Sequence, residues 1–501
     1  MKTAFEEVME IRGQGMPDSG EITITGADPV FSTEFKVGEN CAAVLAGVGV
    51  ALSDIWQLKT GQRQTAAIDV RAAAAALRAS LYMQKPDANS PGGDITPVVN
   101  PDHEFMISMT QPWPTKDGRW FLPHFGLPNL KERVLGVLGC EPNPDAVAKA
   151  VATWDALDLE AAIEEARACG AMVRGNAEWL ASPHGQILAG KPIVEIIKIA
   201  DSDPEPLPQG PRPLSGIRAL DLTRILAGPI AARTLAENGA DVLMVTAENL
   251  PQIKEHVMDT NHGKRSCYLN LKDPGDAAKL KELVCGADVF SQGYRPGMLG
   301  GLGFSPEDLA EVRPGLVYLS ISCFGADGPF SHRAGWEQVA QTVTGICHDG
   351  GDAGRPTLLP AAACDYTTGY LGAYGVLLAL ARRAREGGVG RGLLRTHLRC
   401  QPPAIENGLR DIGEHAAGDE LEQLAERVRR SADIAADAER GIKLRLCYAD
   451  PGGCSGKRAF GATHVRALAQ RIGRNPGRDV RRRLDQCSAA RPGDRESRRI
   501  R

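Results

Sequence analysis

The sequence predicts an α/β protein: an open parallel Rossmann-like sheet with helices, joined to a smaller α+β domain. Three observations lead there. Short apolar runs alternate with helical patterns between residues 217 and 322, which is how βαβ units read. The run SDPEPLPQGPRP at 202–213 holds five prolines in twelve residues and reads as an extended connector. Ahead of it lie alanine-rich helical runs and one hairpin pattern, a different texture.

In the central part, IRALDL (217–222) suits a buried parallel strand. LAGPIAARTLAENGA follows with helical spacing and stops at Gly239, before the next strand, DVLMVT (241–246). A helix through AAKLKELVCG, a strand at ADVFSQ, a helix near SPEDLAEV and a strand LVYLSIS (316–322) continue the alternation. GWEQVAQTVTGI and the run from Asp365 to Arg385 read as helices. In the first part, CAAVLAGVGVALSDIW and DVRAAAAALRASLYM are helical, and residues 144–181 carry helical charge patterning. HEFMISMTQPWPTKDGRWFLP reads as a hairpin turning at Lys116–Asp117–Gly118.

Of the 501 residues 43% are hydrophobic and 24% charged, which excludes wholesale disorder. No stretch approaches the roughly 18–20 uninterrupted apolar residues of a membrane span, so no membrane association is expected. The N-terminus, MKTAFEEVMEIRGQG, carries acids where an export signal needs a basic and then an apolar run. Twelve cysteines are scattered without a CxxC pair, which argues against a zinc site or disulfide framework and for the cytoplasm. The net charge of −4 hides an asymmetry: 34 bases against 47 acids in residues 1–387, then 24 bases, 22 of them Arg, against 15 acids in 388–501.

Six blocks carry a resemblance: PLSGIRALDLTRILAGPIAARTLAENGADVLMV (213–245), NHGKRSCYLNLKDP (261–274), ADVFSQGYRPGMLGGLGFSPEDL (287–309), RPGLVYLSISCFGADGPF (313–330), GWEQVAQTVTG (335–345) and CDYTTGYLGAYGVLLAL (364–380). In this order they resemble the class III CoA-transferases, the family of formyl-CoA transferase, carnitine CoA-transferase and alpha-methylacyl-CoA racemase. The first part resembles that family's later half, in GQRQTAAIDVRAAAAAL, TQPWPTKDGRWFLP and CGAMVRGNAEWLASPHGQILAGKPIVEI. The halves therefore stand in permuted or tandem order. The division expected is 1–205 for the later-half unit, 206–213 for the linker proper, 214–387 for the Rossmann-like domain, and 388–501 for an Arg-rich tail. A faint repeat, Glu34-x-x-x-Gly38 against Asp365-x-x-x-Gly369, favours a tandem origin and places Glu34 where the family has its catalytic Asp.

The resemblance implies a transferase moving CoA between an acyl-CoA and a carboxylic acid, with CoA as a carried substrate, no other cofactor and no metal. Asp365 falls on the family's nucleophile. The residues agree in part: an Asp just before an apolar helix can be its N-cap, and the positive helix end favours a carboxylate. Trp336 and Glu337 resemble a segment beside the nucleophile, where Trp336 would wall the acyl pocket. Arg224, Ile225, Leu226 and Ala227, at a strand-to-helix turn suited to anions, match positions lining the CoA site. Lys264, Arg265, Tyr294 and Arg295 are further candidates, the cations for phosphate and Tyr294 for adenine. His262, His332 and His348 lack metal-ligand spacing. Relatives form interlocked homodimers, so a homodimer is expected. The family's racemases carry a His where Trp336 stands, and indole is no base. A racemase is therefore the alternative reading, with a non-catalytic CoA-binding relative as another.

The resemblance stops at Glu386–Gly388. Beyond it the text is Arg-rich, almost free of Lys and without strand alternation, as a shifted frame of a GC-rich gene would encode, and the tail is read as frameshifted or poorly ordered. A nucleic-acid partner is not expected, because no zinc spacing, RNP motif or aromatic interleaving accompanies RDVRRRLD and RESRRIR.

Overall fold

The computed structural model describes residues 2–86, 95–351 and 354–386, and the backbone of 390–397. Its main sheet has seven strands: β1 (Val194–Ala200), β2 (Arg218–Asp221), β3 (Asp241–Thr246), β4 (Lys264–Tyr268), β5 (Val289–Gln292), β6 (Val317–Ser322) and β7 (Gly390–His397). The spatial order is β4-β3-β2-β5-β6-β7-β1. Strands β2 to β7 are parallel, and β1 is antiparallel to β7. The order reverses between β2 and β5, and the crevice beyond the strand C-termini at such a point is where open α/β sheets bind ligands. All four residues of β5 are buried, as expected of a central strand covered on both faces.

Five helices matter for the site: α1 (Ala4–Arg12), α2 (Val37–Thr60), α3 (Ala227–Glu237), α4 (Glu337–Thr344) and α5 (Ala363–Glu386). The small residues of α5 let it lie close to α3. A Cβ on Gly369 would stand 2.5 Å from the Ala227 carbonyl oxygen and 2.6 Å from Ile230 Cβ. On another side α5 meets α2, and one continuous core joins Val48 and Ile55 of α2 to Ile230, Leu319, Tyr374 and Leu377.

By length and composition α2 could cross a membrane, with a mean hydropathy of 1.6 over 18 residues, although Glu39, Asp54 and Lys59 interrupt its apolar run. Here it packs against α1, α5 and the helix Val70–Ala76. Its Asp54 is buried in an ion pair with Arg12 at 2.7 Å and another with Arg63 at 2.8 Å.

The first half is not a separate lobe. It supplies β1 to the sheet and α2 to the core. It also holds a parallel pair, Ile22–Thr25 with Ala66–Asp69, joined through α2. That β-α-β unit has the same layout as β6-α5-β7, and both helices are 24 residues long. The acid-x-x-x-Gly repeat is nevertheless out of register. Asp365 is the third residue of α5, whereas Glu34 is exposed and precedes α2, so Glu34 does not occupy the place of Asp365.

The smaller unit is a three-stranded antiparallel sheet (Trp113–Pro114, Trp120–Pro123 and Gly170–Met172) against helices Pro128–Leu138 and Ala156–Glu165. The turn lies at 116–118 as read, with Gly118 at φ 76°. The first arm does not form a long strand. Pro101–Met109 is a helix, because the Asn100 side chain caps the N–H groups of Asp102 and His103, and Pro101 takes the first helical position. The strand at Gly390–His397 likewise departs from the reading of the tail as lacking strands. The rest of the tail, 398–501, lies outside the described residues.

Two glycine substitutions separate these constraints. Gly369→Ala should destabilise by about 1–3 kcal/mol, because α5 must shift from α3. Gly136→Ala, in a helix with nothing within 4 Å of the new Cβ, should stabilise by about 0.5–1 kcal/mol. Urea unfolding of both variants checks the signs.

Candidate active site

A cavity of about 300 Å³ opens at the sheet's reversal point. Its walls come from the turns after β2 (Leu222–Gly228), β5 (Gly293–Arg295) and β6 (Cys323, Phe324), from Gly335 and Trp336, and from Asp365 and Thr368 of α5. Leu127, Asn129 and Leu130 reach it from the first half. Both halves of this one chain therefore build the same cavity.

Asp221 sets the turn after β2. Its Oδ1 accepts the Thr223 N–H at 3.0 Å, the Thr223 hydroxyl and the Ser291 hydroxyl at 3.2 Å. Its Oδ2 accepts Lys264 Nζ at 2.8 Å. With the turn pinned, Ile225 is held at φ 71°, left-handed backbone that a β-branched residue rarely adopts. Strain of this kind concentrates at functional sites. Arg224 donates to the Pro251 carbonyl, while its Nε is buried without a partner. Leu226 is buried at the start of α3, and Ala227 is that helix's first residue. The N-terminus of α3 thus faces the cavity, a favourable place for an anion.

Asp365 lies in the first turn of α5 and is not its cap. Glu337 of α4 takes that place. Glu337 Oε1 accepts the Cys364 N–H at 3.1 Å and Gln341 Nε2 at 2.6 Å, and Oε2 accepts the Asp365 N–H at 2.6 Å. Glu337 is buried, whereas the half-buried Asp365 lines the cavity. Burial raises the pKa of both carboxyls. The nearby Glu337 charge pushes Asp365 well above the usual range, while the N–H donors to Glu337 oppose its rise. The negative charge therefore rests more easily on Glu337, and Asp365 is the more basic carboxylate.

Tyr294 lines the cavity near Arg224, half-buried, with its N–H on Gln292 Oε1 at 2.7 Å. Burial raises its phenol pKa against the opposing Arg224 charge. Arg295 is exposed and stands between this cavity and an adjoining one of about 350 Å³. Lys264 and Arg265 are not brought to the cavity. Lys264 is buried on Asp221 and the Pro229 carbonyl, and Arg265 pairs with Asp241. Lys264 therefore acts on the turn from behind. His262, His332 and His348 lie outside the cavity lining and bond to the Asp259 carbonyl, Glu164 and Asp349.

The sequence reading missed Asp221, Thr223 and the segment His124–Leu130. For that segment the only signal was FGLPN, directly after the hairpin.

The model of CoA-transferase family III matches residues 214–398, passing through β7 and beyond the point at which the resemblance was read to stop. The acetyl-coenzyme A transferase nodX of Hypoxylon pulicicidum is 31% identical over 399 residues, covering 72% of this chain and 67% of that protein. The chain belongs to CoA-transferase family III. An alignment over 72% of the chain is longer than residues 214–501, so the family relationship reaches into the first half in the same order. The succinyl-CoA:glutarate CoA-transferase of Mus musculus is 35% identical over 223 residues, 41% of this chain and 50% of that one. The solved structure of Rv3272 from M. tuberculosis in its orthorhombic form is 30% identical over 38% of this chain and 55% of that chain, with a TM-score of 0.36. Apart from nodX, the chain spans about half the length of these family members or less.

The raised pKa of Asp365 has a stability consequence. Between the unfolded value, about 3.9, and its higher folded value, the folded state binds more protons, so this group's contribution falls as pH rises. Asp365→Asn should raise Tm at pH 7, by roughly 2–4 °C for each kcal/mol relieved. The gain should vanish below about pH 4. Thermal scans against pH check both arms.

Proposed function

We propose that this family III member transfers CoA from an acyl-CoA thioester to a carboxylic acid through covalent intermediates on Asp365. The Asp365 carboxylate attacks the thioester carbonyl, the C–S bond breaks, and CoA leaves as thiolate with a mixed anhydride behind it. The thiolate then attacks the Asp365 carbonyl of the anhydride, releasing the first acid as carboxylate and leaving an aspartyl-CoA thioester. The acceptor carboxylate attacks that thioester and re-forms an anhydride. The thiolate returns to the acceptor's acyl carbon, and Asp365 is freed as carboxylate. Each hard displacement is split into easier ones.

The observation that carries this reading is the Asp365–Glu337 pair at the cavity. Acylating the ionised Asp365 removes its charge from beside Glu337, so the covalent states relieve the repulsion that arises when both carboxylates are ionised. The same repulsion makes Asp365 a more basic nucleophile. The turn Arg224–Ala227, the α3 N-terminus, Tyr294 and Arg295 would take the CoA end, and Trp336 would shield the anhydride from water. A racemase needs an acid/base pair at the acyl α-carbon, and the family's His position is Trp336 here.

Incubation with acetyl-CoA or succinyl-CoA followed by hydroxylamine tests the reading. The expected outcome is loss of activity with a hydroxamate on the peptide carrying Asp365, absent in Asp365→Asn. The rate of adduct formation should climb with pH as Asp365 ionises above its usual range. CoA binding without any adduct would favour a non-catalytic relative.

A further inference from the structure

Two rings from opposite halves of the chain meet at one wall of the cavity. Trp336 lines it from the N-cap of α4. Behind Trp336 lies His124, just past the strand Trp120–Pro123, with ring centroids 4.5 Å apart and planes 31° apart. His124 is 1% exposed and does not line the cavity. Its Nδ1 accepts the Gly126 N–H at 3.1 Å, and Nε2 lies 3.0 Å from Gln338 Oε1. This hydrogen bonding assigns the Nε2–H tautomer. Burial lowers the imidazole to about 4, so the ring stays neutral.

The packing leaves the rings little freedom. A Cβ at Gly126 would stand 2.5 Å from His124 Cε1 and 2.9 Å from Trp336 Cη2. The backbone of the first half therefore fills the space behind both rings, and the indole cannot retreat. A cavity of about 300 Å³ is at the small end for ligand sites. It must hold the thioester end of CoA as well as the acyl group, which leaves room for a short chain.

The geometry points to His124 as a positioning residue that backs Trp336 from the first half, sets the depth of the acyl pocket and restricts the enzyme to short-chain acyl groups. This rests on the CoA-transfer reading above. His124 touches no reacting atom and acts through the indole.

Calorimetric titration of the full chain with acetyl-CoA and octanoyl-CoA tests it. The ratio of the two affinities cancels any loss of folded protein, which a purely structural role would produce. Wild type should favour acetyl-CoA by about tenfold or more, a discrimination an apolar pocket wall can supply. His124→Ala should collapse that ratio, and His124→Phe, which keeps a ring behind Trp336, should retain it. Trp336→Ala opens the same wall independently and should move the ratio in the same direction as His124→Ala. An unchanged ratio in folded His124→Ala, or in Trp336→Ala should His124→Ala not fold, overturns the proposal and leaves the transfer reading standing. If neither thioester binds wild type, both fail together.

Discussion

Two backbone N–H groups at the start of α5, those of Cys364 and Asp365, are taken by the buried carboxylate of Glu337. A helix start leaves such donors without intrahelical partners, and α5 answers them with a side chain from another helix. The consequence is chemical. The cap carries a charge, and burial gives that charge reach, so Asp365 shares its surroundings with a second carboxylate. Burial, and with it the charge of the group that fixes the helix, raises the Asp365 pKa.

The rest of the molecule holds this arrangement in place. Close packing of α5 on α3 through Gly369 brings Asp365 to the mouth of the crevice at the sheet's reversal point. Asp221, with Lys264 behind it, pins the turn that lines the same cavity as Asp365. The first half closes the opposite side with Leu127, Asn129 and Leu130. A second core joins the halves there, with Leu122, Leu130 and Trp179 packed against Phe324 and Val339. Residues from both halves of the chain therefore line one cavity.

What was legible in the sequence follows physical lines. The inner strands β2, β3, β5 and β6 could be read because mostly buried strands are near-continuous apolar runs, whereas β4, KRSCY, is largely unburied and carries no such run. That Asp365, Trp336 and Arg224 meet at one cavity could be expected only from the family resemblance of the blocks that carry them, since an Asp or an Arg at a helix start is ordinary by itself. Lys264 could not, since GKRS looks like a solvated loop and only the fold shows Asp221 waiting for it. HEFMISM was read as part of the hairpin that turns at Lys116–Gly118, although Asn100 and Pro101 ahead of it already encoded a helix start. Glu34 was misplaced because four-residue spacing survives drift while helix register does not. His124 was invisible because its partner ring lies more than two hundred residues away, and no local pattern records such a contact.

The central claim is that the crevice between the β2 and β5 ends presents an acyl-CoA thioester to Asp365. A crystal structure of the protein with a bound CoA thioester tests it most directly. The account predicts the thioester carbonyl carbon, or an acyl group already transferred, within about 3–3.5 Å of the Asp365 carboxylate, with CoA leaving past Arg224 and Tyr294. CoA bound elsewhere, with Asp365 out of reach of the thioester, would contradict it.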